Sequence, residues 1–102
     1  LHIEISALPR LTGAIESLRD GNLNRAHKTN REYCEGKVRF ASSVSEEERW
    51  LSYDPQTSGG LLLSVPSDQA DRALGALRER FPRTARIGTV ETRGTELVTY
   101  SP

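Results

Sequence analysis

An unbroken apolar run, "LLLSV" at residues 61–65, constrains the fold of this chain more than any other feature. Two glycines, Gly59 and Gly60, precede the run, and Pro66 ends it. A short apolar segment between turn residues of this kind is typical of a strand that is buried in a sheet. We therefore predict a buried strand between Gly60 and Pro66.

The residues that follow the run predict a helix. Ser67 can cap its first turn, and Pro82 comes directly after its last turn. Its apolar residues fall on one stripe at helical spacing. They are Ala70, Ala73, Leu74, Leu77 and Phe81. The centre of the chain should thus be a strand followed by a helix.

The first twenty residues predict the same pair of elements. Leu1, Ile3 and Ile5 alternate with polar residues, which indicates a strand with one buried face that ends by Pro9. Thr12 can then cap a helix that ends at Gly21. The apolar residues of this helix lie at i, i+3, i+4 and i+7 spacing, and they are Leu11, Ala14, Ile15 and Leu18.

Residues 22–43 show neither a strand period nor a helix period. We interpret them as a long loop with at most one helical turn, which ends in a short extended piece at 38–40. A loop of this length in a compact domain is usually functional or lies at an interface. A second helix should begin at Ser45, because Ser45 and Glu48 have capping-box spacing, and it should stop before Asp54.

The last part of the chain predicts two further strands, "TARIGTVET" and "TELVTYSP", joined by a turn at Arg93–Gly94. The whole order is strand, helix, loop, helix, strand, helix, strand, strand. This order indicates an α+β fold in which helices cover a mixed β-sheet. A length of 102 residues favours one domain, residues 1–102.

Composition narrows the class of protein. Fourteen basic and fourteen acidic residues give a net charge of zero, which argues against binding to nucleic acid or to an anionic membrane. No apolar run approaches the length of a membrane span, and no signal peptide is visible. Cys34 is the single cysteine, so no intrachain disulfide can form, which fits a cytoplasmic protein. Since methionine is absent, we expect a trimmed product or a piece of a longer protein.

The segment from Asp54 to Gly60 carries most of the candidate chemistry. Thr57, Ser58, Gly59 and Gly60 could form a nest of backbone N–H groups and hydroxyls for an anion. They could equally be a turn, in which glycine is chosen for its backbone angles and the hydroxyls bond locally. Asp54 is a metal ligand or, as we prefer, a turn starter.

Other polar residues are less specific. Gln56 could contact an adenine or satisfy its own loop, and nothing in the sequence decides between these roles. Asn30 and His27 lie in a basic segment that could contact a phosphate or another domain, although solvated charges are the simpler interpretation. Cys34 has no base placed beside it, so we interpret it as a bystander.

The string "DPQTSGGLL" at residues 54–62 closely resembles the signature near the end of the selenophosphate synthetases (selenide, water dikinases). "ALPRLTGAIESLRDG" and "RIGTV" resemble further stretches of that family. The resemblance covers almost the whole chain and identifies it with the later part of the C-terminal domain. One departure is Arg25-Ala26-His27, where many members carry small residues; the match resumes at Asn30. Arg25 would partly block or recharge any approach of a substrate there.

The resemblance implies a fold of the aminoimidazole ribonucleotide synthetase superfamily and a parent enzyme that makes selenophosphate from selenide, ATP and water. The family's reactive cysteine or selenocysteine, its lysine and its metal-binding aspartates lie in motifs that this chain lacks. The resemblance therefore implies no catalytic residue and no metal ligand here, and no cofactor on this chain alone, with Mg²⁺ accompanying ATP in the parent. We expect the isolated chain to be inactive.

The resemblance also implies substrate contacts and partners. The candidate substrate-binding residues are Asn30, Gln56, Thr57, Ser58, Gly59 and Gly60. The expected partners are an N-terminal ATP-binding domain, ATP and selenide, and a second copy in a homodimer. Two alternatives stay open: a non-catalytic binding or interaction module that kept the scaffold, and a sister ATP-dependent enzyme of the same superfamily.

Overall fold

The computed structural model describes residues 1–102, which form a four-stranded mixed sheet with four α-helices. The elements, in chain order, are β1 His2–Glu4, α1 Ala14–Arg19, α2 Arg25–Tyr33, β2 Val38–Phe40, α3 Glu46–Ser52, α4 Ala70–Arg80, β3 Gly88–Thr89 and β4 Val98–Ser101. Short 3₁₀ turns occupy Ile5–Ala7 and Ser67–Gln69. This arrangement agrees with the α+β class and the mixed sheet that the sequence predicts. None of the helices is both long and apolar enough to cross a bilayer.

The strand order of the sheet is β2-β4-β1-β3. β4 is parallel to β2 and to β1, and β1 is antiparallel to β3. The register places His2 opposite Thr99, and Val38 opposite Val98. The two predicted C-terminal strands are both present, but β1 lies between them, so the turn at Arg93–Gly94 does not make them neighbours.

The N-terminal elements are shorter than predicted. Ile3 and Ile5 are buried, as their alternation indicates, yet the chain leaves the extended conformation at Ile5. The prediction that Thr12 caps α1 is wrong: Gly13 occupies the N-cap with a φ of 82°, and no side chain bonds the first turn. Gly21, with a φ of 84°, follows the end of α1 as predicted, because a left-handed residue closes a helix most easily when it has no Cβ.

The prediction of a loop over residues 22–43 is wrong over α2, although the extended piece at Val38–Phe40 is confirmed. α2 begins with a capping box between Asn24 and His27. Its buried residue is His27, so the helix has no apolar stripe for the sequence to show. α2 therefore escapes an apolar-periodicity search because its inward-facing side is polar.

The core is small, with Ile3, Ile5, Val44 and Tyr53 as its buried apolar residues, and an aromatic cluster adjoins it. α3 begins at the predicted capping box of Ser45 and Glu48. Tyr53 is the residue at its C-terminal end, and its ring packs against the sheet. The Tyr53 ring meets Phe40 edge to face at 5.8 Å between centroids, and Phe40 stacks on Tyr100 at 4.7 Å. Ring pairs of this geometry contribute about 0.5–1.5 kcal/mol beyond the area that they bury. This cluster joins α3 to β2 and β4.

The buried strand predicted between Gly60 and Pro66 is wrong. Residues 61–66 form no strand, and all six are exposed. A strand needs a neighbour for its backbone, and the four strands of the sheet pair only with one another. α4 is present as predicted, but Gln69 precedes it and Ser67 makes no capping bond. Its last apolar residue, Phe81, is exposed.

We predict that Gly88→Ala weakens the fold. A Cβ at this position would lie 1.9 Å from the backbone oxygen of His2, so β1 and β3 would have to separate. The free energy of unfolding, measured by urea titration, should fall by about 2 kcal/mol or more. Gly75→Ala is the matched control, because a Cβ there meets nothing within 4 Å. Because Gly75 lies in the middle of α4, this substitution should raise the free energy of unfolding by about 0.5–1 kcal/mol. An unchanged stability of the Gly88 variant would contradict the close β1–β3 contact.

We also predict a loss of stability at alkaline pH through Tyr53. Burial raises the pKa of the Tyr53 phenol above its ordinary value of 10.0. The folded chain thus holds this proton more tightly than the unfolded chain, so the contribution is complete below pH 10 and is lost as the pH rises past it. Urea titrations at about pH 8 and about pH 11 should show a smaller fall for Tyr53→Phe than for the unsubstituted chain. Tyr33, whose ring is exposed, provides the control: Tyr33→Phe should keep the full fall.

Candidate functional site

Helix α2 holds the beginning of the 54–60 segment through two side chains one turn apart. The Asn30 amide Nδ2 donates a hydrogen bond to the Tyr53 carbonyl oxygen at 3.0 Å. The His27 ring nitrogen Nε2 lies 3.2 Å from a carboxylate oxygen of Asp54. Residues three apart share one helix face, so both contacts come from the same side of α2. We refer to these two contacts as the α2 clamp.

The capping box of α2 orients His27. The Asn24 backbone N–H donates to His27 Nδ1 at 3.3 Å, and the His27 backbone N–H donates to the Asn24 side-chain oxygen at 3.2 Å. Nδ1 also lies 3.1 Å from the Asn24 side-chain oxygen, so this edge of the ring faces the helix cap and Nε2 faces Asp54. Nε2 is close to the Asp54 carboxylate but makes no regular hydrogen bond to it or to any other group of the chain. His27 is only 4% exposed, which makes this contact important to the fold.

The clamp changes the role of three residues considered from the sequence. Asn30 is engaged with the backbone of Tyr53, and His27 with Asp54. His27 therefore supplies both a helix cap and a contact to Asp54. The spacing of Asn24 and His27 was the one sequence signal that could have revealed the capping box that begins α2.

The Thr57–Gly60 segment carries free hydrogen-bond donors. All four residues are exposed, and neither their backbone N–H groups nor the two hydroxyls bond to any other group of the chain. No residue here has a positive φ, so these glycines are not required by the backbone angles. The local side-chain bonds that a simple turn would use are also absent. The hydrogen-bond donors of this segment thus face solvent and make no bond within the chain.

Gln56 folds back on this segment. A Cβ added to Gly59 would lie 2.5 Å from the Gln56 side-chain oxygen Oε1, which shows how closely the two residues approach. Gln56 itself is exposed. Of the six candidate substrate-binding residues, five are consecutive and exposed. The sixth, Asn30, lies beneath the start of the segment and holds it.

The residues present do not fit a metal ion. No three of the His, Cys, Asp and Glu side chains are grouped as a metal site would require. Asp54 is a lone carboxylate that already faces His27. Cys34 is half-buried near Tyr53.

Comparison with known proteins gives curated relatives along the whole chain. The chain is 38% identical to the selenide, water dikinase of Bdellovibrio bacteriovorus over 102 residues, which is all of this chain and 29% of that protein. It is 44% identical to that of Desulfitobacterium hafniense over 88 residues, or 86% of this chain and 26% of that protein. The Nitrosomonas eutropha protein of the same name is 39% identical over 100 residues, or 98% of this chain and 28% of that protein.

No family model matches the chain, and no solved structure matches it. The relatives nevertheless agree with one another, because all three carry the name selenide, water dikinase. The resemblance to the selenophosphate synthetases is confirmed, and the chain belongs to the selenide, water dikinase family. It spans a little more than a quarter of the length of the curated relatives it matches.

We predict that Asn30→Ala loosens the start of the 54–60 segment. The variant removes the hydrogen bond to the half-buried Tyr53 carbonyl, which should cost about 1 kcal/mol. Hydrogen exchange should become faster at the amides of Asp54 and Gln56, which donate to the carbonyls of Leu51 and Asp54. Lys28→Ala is the control: Lys28 is exposed on the same helix and makes no side-chain bond, so exchange should not change. Equal exchange in both variants would show that the clamp does not hold the segment.

Proposed function

We propose that this chain is the later part of the C-terminal domain of a selenide, water dikinase, where it lines one wall of the ATP cleft. The observation that carries the proposal is the uninterrupted "DPQTSGGLL" string in a chain that is similar along its length to proteins of that name. On this proposal the whole protein makes selenophosphate from selenide, ATP and water in the cytoplasm.

On this proposal, Thr57–Gly60 are the residues that line the wall of the cleft. Phosphate oxygens accept hydrogen bonds, and this segment offers exposed N–H and O–H donors that nothing in the chain uses. Gly60 leaves room for a ligand to approach the backbone, because nothing lies within 4 Å of where its Cβ would be. The α2 clamp fixes the segment at its Tyr53–Asp54 end, so the donors start from a defined position. Bonds to a charged oxygen contribute more than neutral bonds, about 1.5–3 kcal/mol each.

The chemistry of the phosphoryl transfer lies elsewhere in the protein on this proposal. Mg²⁺ would accompany ATP and be held by carboxylates of the N-terminal part, since the side chains of this chain do not fit a metal ion. The reactive cysteine or selenocysteine would come from the same part. The substrate contacts of this chain would then be positioning contacts to ATP, and the whole protein would assemble as a homodimer.

One observation favours a second candidate, a non-catalytic interaction module. The exposed apolar run at residues 61–65 is suited to a protein partner and not to a nucleotide. The two candidates differ in one measurable property, which is whether the chain supports selenide-dependent ATP consumption in the context of a whole enzyme.

The decisive experiment is a chimera in which this chain replaces the matching residues of the Bdellovibrio bacteriovorus enzyme, which aligns with all 102 residues. We expect the chimera to consume ATP in a selenide-dependent manner and the isolated chain to consume none. Substitution of both hydroxyls, Thr57→Val with Ser58→Ala, should lower kcat/KM for ATP by about tenfold or more.

Ser64→Ala is the matched control, because it removes a hydroxyl from the same exposed segment but outside the donor set. Its kcat/KM should equal that of the unsubstituted chimera. A folded chimera without activity, or robust turnover by the isolated chain, would falsify the proposed function.

A further inference from the structure

The 60–65 segment is the most unusual surface of the molecule. Leu61, Leu62, Leu63 and Val65 are exposed by 91%, 63%, 57% and 43% of their areas. Single exposed apolar residues are normal, but four within five positions form a continuous apolar surface. Surfaces of this kind mark places where another polypeptide binds.

The backbone of the segment is also unpaired. Residues 57–65 take part in no backbone–backbone hydrogen bond and in no side-chain hydrogen bond. Such a stretch offers a row of N–H and C=O groups to a strand that lies beside it. Its apolar side chains would then be covered by the layers of the sheet that it joins.

The sequence carries none of the features that protect a free strand. Charged residues make up 27% of the chain, yet none occurs between Asp54 and Asp68. Proteins usually place a lysine or another charge within an exposed edge strand to prevent unwanted pairing. The lack of charge over 13 residues indicates a segment that is covered in the protein where it works.

We propose that the 60–65 segment is a docking strand for a β-strand edge in the part of a selenide, water dikinase that lies outside the matched quarter. This proposal rests on the proposed function, because it takes its partner from the same enzyme. The relatives carry most of their length outside the matched region, so they have ample chain to supply that edge.

A second copy of this chain fits less well as the occupant. Two copies paired through this segment would satisfy one edge of each strand and leave the other edge and one apolar face in water. A run that is apolar on both faces needs a neighbour on each side and a covering layer. The larger part of the enzyme can supply all of these, which is why we commit to it.

The test is hydrogen exchange of residues 61–65 in two proteins, the isolated chain and the Bdellovibrio bacteriovorus chimera. In the isolated chain these amides should exchange close to the rate of an unstructured peptide. In the chimera they should exchange at least about a hundredfold more slowly, as the amides of a central strand do. This comparison requires no substitution, so it does not depend on a variant that folds.

Leu62→Asp sharpens the result and has a matched control. In the isolated chain it should leave the melting temperature unchanged, because Leu62 is exposed; in the chimera it should abolish the slow exchange. Leu11 is 70% exposed, close to the 63% of Leu62, so Leu11→Asp carries the same chemical change outside the segment. It should leave the slow exchange intact.

Fast exchange in a folded chimera overturns the docking strand, and so does a chimera that fails to fold, because the surface would then not fit this partner. Protection in the isolated chain that grows with its concentration also overturns it, in favour of a second copy. Activity separates the two proposals. An active but unprotected chimera overturns the docking alone, whereas a protected but inactive chimera overturns the proposed function alone.

Discussion

The rest of this small fold depends on the packing of Tyr53. Its ring meets Phe40 of the sheet and Trp50 of α3, with centroids 5.8 Å and 6.3 Å apart. Its carbonyl accepts the Asn30 amide from α2. Four elements thus meet at one residue: β2 and β4 through the stacked rings, α3 through the chain, and α2 through the clamp. In a chain with only five buried residues, few other contacts can replace it.

Tyr53 is also the residue before the family string. Because the ring is fixed in the core and the carbonyl is fixed by Asn30, the chain leaves the core in a set direction at Asp54. The exposed donors at Thr57–Gly60 follow three residues later. The packing of Tyr53 in the core therefore fixes where the exposed segment begins. The contact between His27 and Asp54 supports the same position. A polar helix face performs the task that an apolar stripe performs elsewhere.

The sequence predicted the elements whose signals are local. The alternation around Ile3 and Ile5 and the capping box of Ser45 and Glu48 both describe contacts within a few residues, and both are confirmed. α2 was missed because its inward side carries His27 in place of apolar residues. The predicted strand at 60–65 failed for another reason: composition shows that a segment needs to be covered, but pairing also needs a neighbour, and the chain provides none.

The candidate site also has some features that the sequence shows locally and others that only the tertiary fold produces. The string at residues 54–62 was recognisable because it is continuous. Asn30 was singled out as family-like text, but its actual partner is a carbonyl 23 residues away. The contact between His27 and Asp54 has no local signature at all, since only the tertiary fold brings the two together. The resemblance gave the class of protein correctly, whereas only the structure shows that Asn30 is bonded to Tyr53 while Thr57–Gly60 are exposed.

The position of β1 beside β4 has a consequence for how this chain folds. His2 and Thr99 are 97 residues apart and lie opposite each other, with the His2 ring 3.0 Å from the Thr99 hydroxyl. The central pair of the sheet therefore closes a loop of almost the full length. During synthesis β1 has no strand partner until β3 and β4 near the other end of the chain have been made, and contacts of such long range slow folding. Helices α1 and α3 pack on each other from positions nearer in sequence, so this contact can form before the central pair of the sheet.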